Sequence, residues 1–306
     1  MNSKELFEIL EKSDNKNLMK IDKENNSVEF LMSKSKKNIH ENIKNTQVLK
    51  NLFVLDSKPF IQALKDTKTF RSNEKYEHFE NVIFKYSYKE NIIRITGTNS
   101  AKVIYTEISK DNFTTNVKRN VSAYININAV KVLEELKIDD PIYIIGDKYD
   151  NIKMFSIANI LFNNVVIDKE PFELESIIEY VKENIIYSNL ITPKEQKSLK
   201  KYIEDCFELE KKEQIPTISI VKNNKITLHS FMKDESKTYQ FEAKTFEENR
   251  FDIGFDLRYL NDALDIFKSY NKDILIEMSS PCKPILLHVD NKHVAILPFL
   301  LKNYNL

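Results

Sequence analysis

Glycine is almost absent from this chain: among 306 residues only Gly97, Gly146 and Gly254 occur. A phosphate-cradling loop needs clustered glycines so that the backbone can approach the anion. No two glycines here are close in sequence, which excludes P-loop and dinucleotide-binding readings. Cysteine is equally scarce. Cys206 and Cys282 stand alone, outside any CxxC spacing, and point to reduced, buried thiols in a cytoplasmic protein rather than to a disulfide framework or a metal knuckle. Charge of one sign is missing too. Charged residues make up 30% of the chain, yet the formal net charge is +0, so a uniformly basic nucleic-acid coat is excluded while a local basic surface is not. Arginine is found only at 71, 94, 119, 250 and 258. The lysine excess, beside abundant Asn and Ile, reads as codon bias. No run approaches 18 apolar residues, and the polar start Asn2 to Glu5 has no apolar segment behind it, so neither a membrane span nor a signal peptide is expected.

What is present is 42% hydrophobic residues, enough for real cores, in a length that suits two or three domains. The patterning repeats one order: strand, helix, then about three antiparallel strands. Leu52 to Leu55 is a strand, Ser57 caps a helix with Pro59 in its first turn, and strands follow at 79–86, 92–95 and 102–108. Ser122 to Ile127 leads a helix opened by Asn128, with strands at 141–145, 153–157 and 161–167. Phe172 to Tyr187 reads as a helix. Thr192-Pro193 opens another to about Leu209, with strands at 217–221, 226–231 and 238–243. Phe251 to Phe255 leads a helix capped by Asp256, with strands at 274–278, 285–289 and 293–297. Before these lie a capped turn at Ser3 to Leu10 and strands at 18–21 and 28–32. The fold class is therefore α+β, built from about five helix-plus-antiparallel-strand half-modules.

Catalytic and metal chemistry find no footing. His40, His78, His229, His288 and His293 are scattered. His288 and His293 flank the Asp290-Asn291 turn and face each other across a hairpin, a surface pair without the further ligands that zinc requires. Ser279-Ser280 lacks the GxSxG context of a nucleophile. No catalytic residue, metal or cofactor is expected.

Three stretches carry a resemblance. Phe251 to Leu264, Ser279 to Pro284 and Val294 to Leu301 together resemble the closing module of the bacterial DNA polymerase III beta subunit, the sliding clamp. Gly97 to Val103 sits where that family has its Ala-Thr-Asp-Gly-His-Arg-Leu segment. Tyr76 to Phe84 and Asp139 to Pro141 resemble parts of the family's second domain. The resemblance implies a partial first clamp domain over 1–50, containing only that domain's second half, a second domain over 51–173 and a third over 174–306.

It also implies a non-catalytic DNA-clamp fold that tethers partners to duplex DNA without reading sequence. Lysines on the polar sides of the helices supply the DNA-facing candidates: Lys58, Lys65 and Lys68, then Lys194, Lys197, Lys200 and Lys201, with Arg258 and Lys268 on the last helix. Glu134 and Glu135 make that basic lining uneven. DNA polymerase and a clamp loader would dock through short peptide motifs. The resemblance places their pocket on Phe79, Thr98, Ser100, Ala101, Lys102, Val103, Pro141, Leu297, Pro298, Phe299 and Leu300. Two departures stand out. The family's Gly-His-Arg is Ser100-Ala101-Lys102 here, and its terminal Arg is Leu300, with Lys302 to Leu306 beyond. Both predict an altered motif preference. The family's ring of paired chains implies a homodimer with Phe207 and Leu209 at its interface, whereas polar residues 33 to 50 predict weak self-association. The rival reading is a clamp-fold binding module that does not encircle DNA and competes for, or assists, clamp partners.

Overall fold

The computed structural model describes residues 18–22, 27–30, 50–71, 77–135, 139–157, 160–162, 166–167, 171, 175–210, 215–222, 225–242, 244–245 and 251–299. The turn expected at Ser3 to Leu10, most of the polar segment 33–50, Leu300 and the tail from Lys302 lie outside the described residues. Two compact units form. One combines Met1–Thr98 with Tyr105–Phe172, the other Asn99–Ile104 with Glu173–Leu306.

The first unit contains β1 (Leu18–Asp22), β2 (Ser27–Phe30), β3 (Lys50–Leu55), α1 (Ser57–Asp66), a 3-10 turn (Lys68–Phe70), the one-turn α2 (Glu77–Glu80), β4 (Val82–Ser87), β5 (Ile92–Thr98) and residues 105–109 of β6 (Lys102–Ser109), whose first three residues belong to the second unit. It continues with β7 (Phe113–Thr115), β8 (Val121–Ile125), α3 (Ile127–Glu135), β9 (Ile142–Gly146), β10 (Ile152–Ile157), β11 (Ile160–Phe162) and β12 (Val166–Ile167). One sheet runs β2-β1-β11-β10-β9-β3-β7, and a second set of strands runs β12-β8-β4-β5-β6.

The leading strand of each half-module pairs with the other half-module. β3 lies antiparallel to β9, with Leu55 opposite Ile142, and β8 lies antiparallel to β4, with Ile125 opposite Val82. This reciprocal exchange welds two half-modules into one core. The apolar residues of α1, Phe60, Ile61, Ala63 and Leu64, fall on one helical face and are buried; so are Ala129, Val130, Val132 and Leu133 of α3. The two helices lie side by side. Beneath them Phe53 meets Phe84 and Tyr86 edge-on at 5.4 and 5.1 Å, the arrangement that aromatic quadrupoles favour.

Three local expectations need correction. Ser57 does not cap α1: Asp56 holds that position without a side-chain cap, and Ser57 is buried in the first turn. α3 is opened not by Asn128 but by Asn126, whose Oδ1 accepts the Asn128 N–H at 2.8 Å, while Asn81 Oδ1 accepts the Ile127 N–H at 2.9 Å. Phe79 lies on the helical turn α2, and the strand begins only at Val82.

Gly97 in β5 earns its place by space. A Cβ there would sit 2.6 Å from Thr67 Cβ and 3.2 Å from Thr67 Cα, just past the end of α1. Thr67 is itself fixed, its hydroxyl donating to Leu64 O at 2.7 Å. Gly97→Ala is expected to destabilise the unit by about 1–3 kcal/mol through overpacking, read as a lowered urea midpoint at unchanged slope.

The second unit contains α4 (Glu175–Glu183), β13 (Tyr187–Ile191), α5 (Pro193–Leu209), β14 (Pro216–Lys222), β15 (Lys225–Phe231), β16 (Ser236–Glu242), β17 (Lys244–Thr245) and β18 (Phe251–Asp256). α6 (Leu257–Phe267), β19 (Ile274–Met278), β20 (Ile285–Val289) and β21 (Lys292–Ile296) complete it. The same exchange recurs. β13 pairs with β19 and β18 with β14, placing Tyr187 opposite Met278 and Phe255 opposite Thr217. The helix expected over 172–187 ends at Glu183, and Tyr187 instead begins β13. The Asn184 N–H closes back onto Val181 O, and the Ile186 N–H goes to Met278 O, which carries the chain into the sheet.

α5 starts with a full capping box. Thr192 accepts from the Glu195 N–H, and the Glu195 carboxylate accepts from the Thr192 N–H at 2.8 Å. Asp256 caps α6 as expected, accepting the Arg258 N–H at 3.0 Å. α6 buries Leu257, Leu260, Ala263, Leu264 and Phe267. Each unit thus holds a pair of strand, helix and three-strand half-modules, four in all among the described residues, to which the first unit adds β1 and β2, in line with the α+β reading. Cys206 is buried in α5 as expected, but Cys282, also expected to be buried, is exposed in the turn before β20.

Candidate functional site

In the first unit the lysines expected to face DNA lie on the solvent side of the helical layer. Lys58, Lys65 and Lys68 are exposed. Lys58 pairs with Asp139 at 3.1 Å, both side chains in water, a contact that contributes little. Lys65 and Lys68 border a recess of about 860 Å³ shared with Arg71, Glu80, Ile127, Lys131, Glu134 and Glu135. Arg71 Nη2 donates to Glu134 Oε1 at 2.7 Å. Burial holds the Glu134 carboxyl above its usual range, against the pull of Arg71, Lys68 and Lys65. Arg71 and Lys131 escaped the sequence reading. They sit on different elements, and no local spacing links them.

In the second unit Lys194, Lys197 and Lys201 are exposed along α5 and Lys268 just beyond α6. Lys200 is tied to α6, its Nζ 2.6 Å from Asn261 Oδ1 and 2.7 Å from Asp265 Oδ1. The Arg258 guanidinium is bound to the Asp256 carboxylate, Nη2 to Oδ2 at 2.8 Å, so the helix cap and this cation form one unit. Phe207 is half-buried near the end of α5, and Leu209 is 46% exposed.

The residues assigned to the partner pocket fall in both units. Phe79 is half-buried, Thr98 buried and Pro141 exposed in the first. The second holds Ser100 to Val103 and Leu297 to Phe299, and it brings these two segments together: the Leu297 N–H donates to Ala101 O at 2.8 Å. The 99–103 turn is built by Asn99, whose Oδ1 accepts the N–H groups of Ala101 and Lys102 at 3.1 and 3.0 Å. Ser100 takes the left-handed φ of 73° that such a turn needs. Phe299 is pinned by a hydrogen bond from its N–H to Gly254 O at 3.0 Å. Leu297, Pro298 and Phe299 remain half-exposed beside exposed Ser100.

Lys102 departs from the expected picture of a residue open to a partner. It is buried, its Nζ bonded to Asp262 Oδ2 of α6 and 5.2 Å from the centre of the Tyr259 ring. Burial and the nearby Asp265 push the Asp262 carboxyl up, while Lys102 and Lys200 oppose them.

Structural comparison places these features in a known frame. The chain superimposes on a protein assigned as a DNA polymerase III beta subunit from Eubacterium rectale with a TM-score of 0.68 and 15% identity, over 99% of this chain and 81% of the other. A Helicobacter pylori beta clamp in complex with diflunisal gives 0.65 at 14% identity, over 85% and 70%. The same clamp bound to a DNA ligase peptide gives 0.65 at 14%, over 84% and 68%. The chain has the beta-clamp fold. At these identities the likeness is one of architecture, and no family model and no curated protein matches the sequence. In clamp-fold terms, each unit contributes a pair of adjacent helices, α1 with α3 and α5 with α6.

The histidine pair also finds its setting. His288 and His293 are cross-strand partners in the β20–β21 hairpin, stacked at 5.3 Å, with His288 Nε2 3.3 Å from Glu277 Oε2. The facing arrangement agrees with the hairpin reading, but the surface position does not. His293 is buried and His288 half-buried, because the hairpin is covered on both faces: every residue of β21 is buried. No group of three His, Cys, Asp or Glu able to hold a metal occurs among the described residues, and none of their helices is long and apolar enough to cross a membrane.

Proposed function

We propose that this chain is a clamp-like tether, without catalysis of its own, that holds replication or repair proteins on duplex DNA in the cytoplasm. The observation that carries this reading is the architecture: half-modules with exchanged leading strands, in the fold of beta clamps. A tether of this kind needs a modest cationic face towards phosphate, weak enough to let the protein slide. Lys65, Lys68, Lys194, Lys197 and Lys201 are exposed on helices or helix ends and suit that role.

Partners would be captured by short apolar peptide motifs on the second unit, where Leu297, Pro298 and Phe299 stand beside the Asn99–Val103 turn. The DNA ligase peptide on the Helicobacter pylori clamp supports this mode of docking. Replacement of a cationic side chain by one locked to Asp262 leaves the surface less polar, so the preferred motif is proposed to differ from that of other clamps. Whether chains pair through Phe207 and Leu209 belongs to the same proposal, with weak association expected.

The test is topological. The protein is loaded onto nicked circular plasmid, with a clamp loader from a bacterium, and passed over a sizing column before and after the plasmid is linearised. Retention on the circle and loss from the linear form is the expected result. Equal retention on both, or on neither, rejects encirclement and favours the binding module that competes for clamp partners.

A further inference from the structure

The first unit holds one charged feature that helix spacing and packing do not explain. Arg71 follows the 3-10 turn after α1, and its side chain is only 6% exposed. A guanidinium offers five N–H donors in a planar fork. Here Nη2 serves Glu134, while Nε and Nη1 are buried with no hydrogen-bond partner among the described residues. Leaving such donors unmet is costly, and the structure could have met them with a bidentate carboxylate. Instead Arg71 lines the recess of about 860 Å³, and Lys65, Lys68 and Lys131 line it with Arg71.

We infer that this recess is a phosphate seat, in which Arg71 receives a phosphate group and Glu134 is the internal anion that yields to it. The reading rests on the tether proposed above, since the phosphate it would meet first is in a duplex backbone. Free inorganic phosphate offers the same chemistry. A phosphate oxygen accepts from the Arg71 nitrogens left over, and the three lysine ammonium groups supply the field around it. The carboxylates of Glu80, Glu134 and Glu135 also face the recess. They keep the seat weak, as a sliding contact requires.

The pairing sets a pH dependence. Facing Arg71 are Lys65 and Lys68 from the α1 side, Glu80 from α2, and Lys131, Glu134 and Glu135 from α3. Glu134, held above the usual glutamate range by burial, takes up a proton sooner than an exposed glutamate on acidification. Neutral Glu134 releases Arg71, so anion binding tightens as pH falls.

Two readouts on the full chain test the seat: duplex binding by anisotropy, and the arginine Nε–H signals in proton–nitrogen correlation spectra, where five arginines give few peaks. Arg71→Gln is expected to weaken binding of a short duplex by about tenfold, and Glu134→Gln to tighten it severalfold. On acidification from neutral pH towards the ordinary glutamate range, the wild type should tighten more than Glu134→Gln. Lys197→Ala serves as the control for ordinary screening on the second unit, with a small loss expected. If Arg71→Gln fails to fold, Arg71→Met with Glu134→Leu removes the pair together and should show the same loss.

Wild-type duplex binding that Arg71→Gln leaves intact, with no movement of the Arg71 signal, overturns the seat and leaves the tether standing. No duplex binding, but an Arg71 signal shifted by inorganic phosphate, keeps the seat as a free-anion site and overturns the tether. Silence towards both ligands overturns both.

Discussion

Replacing Asp262 with alanine will lower the stability of the second unit by about 3 kcal/mol, and adding Lys102→Met to that variant will recover most of the loss. Lys102 is the buried member of the pair, its side chain 5% exposed. Its ammonium rests on Asp262 and near the face of Tyr259. Removing the carboxylate leaves an ammonium that water reaches poorly. Removing both charges leaves an apolar side chain in a place that water reaches poorly. The pair itself contributes little net stability, because the cost of desolvating two charges offsets their attraction; the damage comes from breaking it one-sidedly. A urea double-mutant cycle measures this directly. Additive losses from Asp262→Ala and Lys102→Met would refute it. The double variant then carries a functional readout: it should bind partner peptides as the wild type does. If the altered turn sets motif preference through the Lys102 charge, the double variant will instead lose discrimination.

Much of this architecture is written locally. The Thr192-Pro193-x-Glu195 box and the Asp256 cap announce α5 and α6, because a cap needs only residues three apart. The His288–His293 facing pair was legible for the same reason, since a two-residue turn fixes the hairpin register. Errors fell where a distant partner decides. Tyr187 continues the apolar period of α4 but enters β13 because β19 offers it a ladder. Phe79 joins an apolar run that reads as strand, yet the turn it sits in delivers Asn81 to the start of α3. The exchange of leading strands was invisible. Spacing shows that a strand precedes a helix, not that it pairs with the following half-module. The charged sites divide in the same way. Exposed lysines at helical spacing could be picked out one by one, whereas the contact of Arg71 with Glu134, 63 residues away, and of Lys102 with Asp262, 160 residues away, exists only after folding.

Phe60→Ala will cost about 3–5 kcal/mol, more than any substitution on the helix surfaces. Phe60 is fully buried on the inward face of α1 and meets Phe155 of β10 edge-on at 6.0 Å. The residues around it belong to both half-modules of the first unit. The hole cannot be closed by shifting one of them alone, and a residual cavity adds to the lost transfer energy. Urea unfolding should show the midpoint falling while Tyr149→Ala, at an exposed tyrosine, stays within about 0.5 kcal/mol of the wild type. A loss below about 1 kcal/mol would mean that the half-modules are less tightly welded than the exchanged strands imply. The same variant probes function, because α1 carries Lys65 and leads to Lys68 and Arg71. Loosening its inward face should weaken duplex binding even where the fold survives, since the cations of the recess are held in register by the packing beneath them.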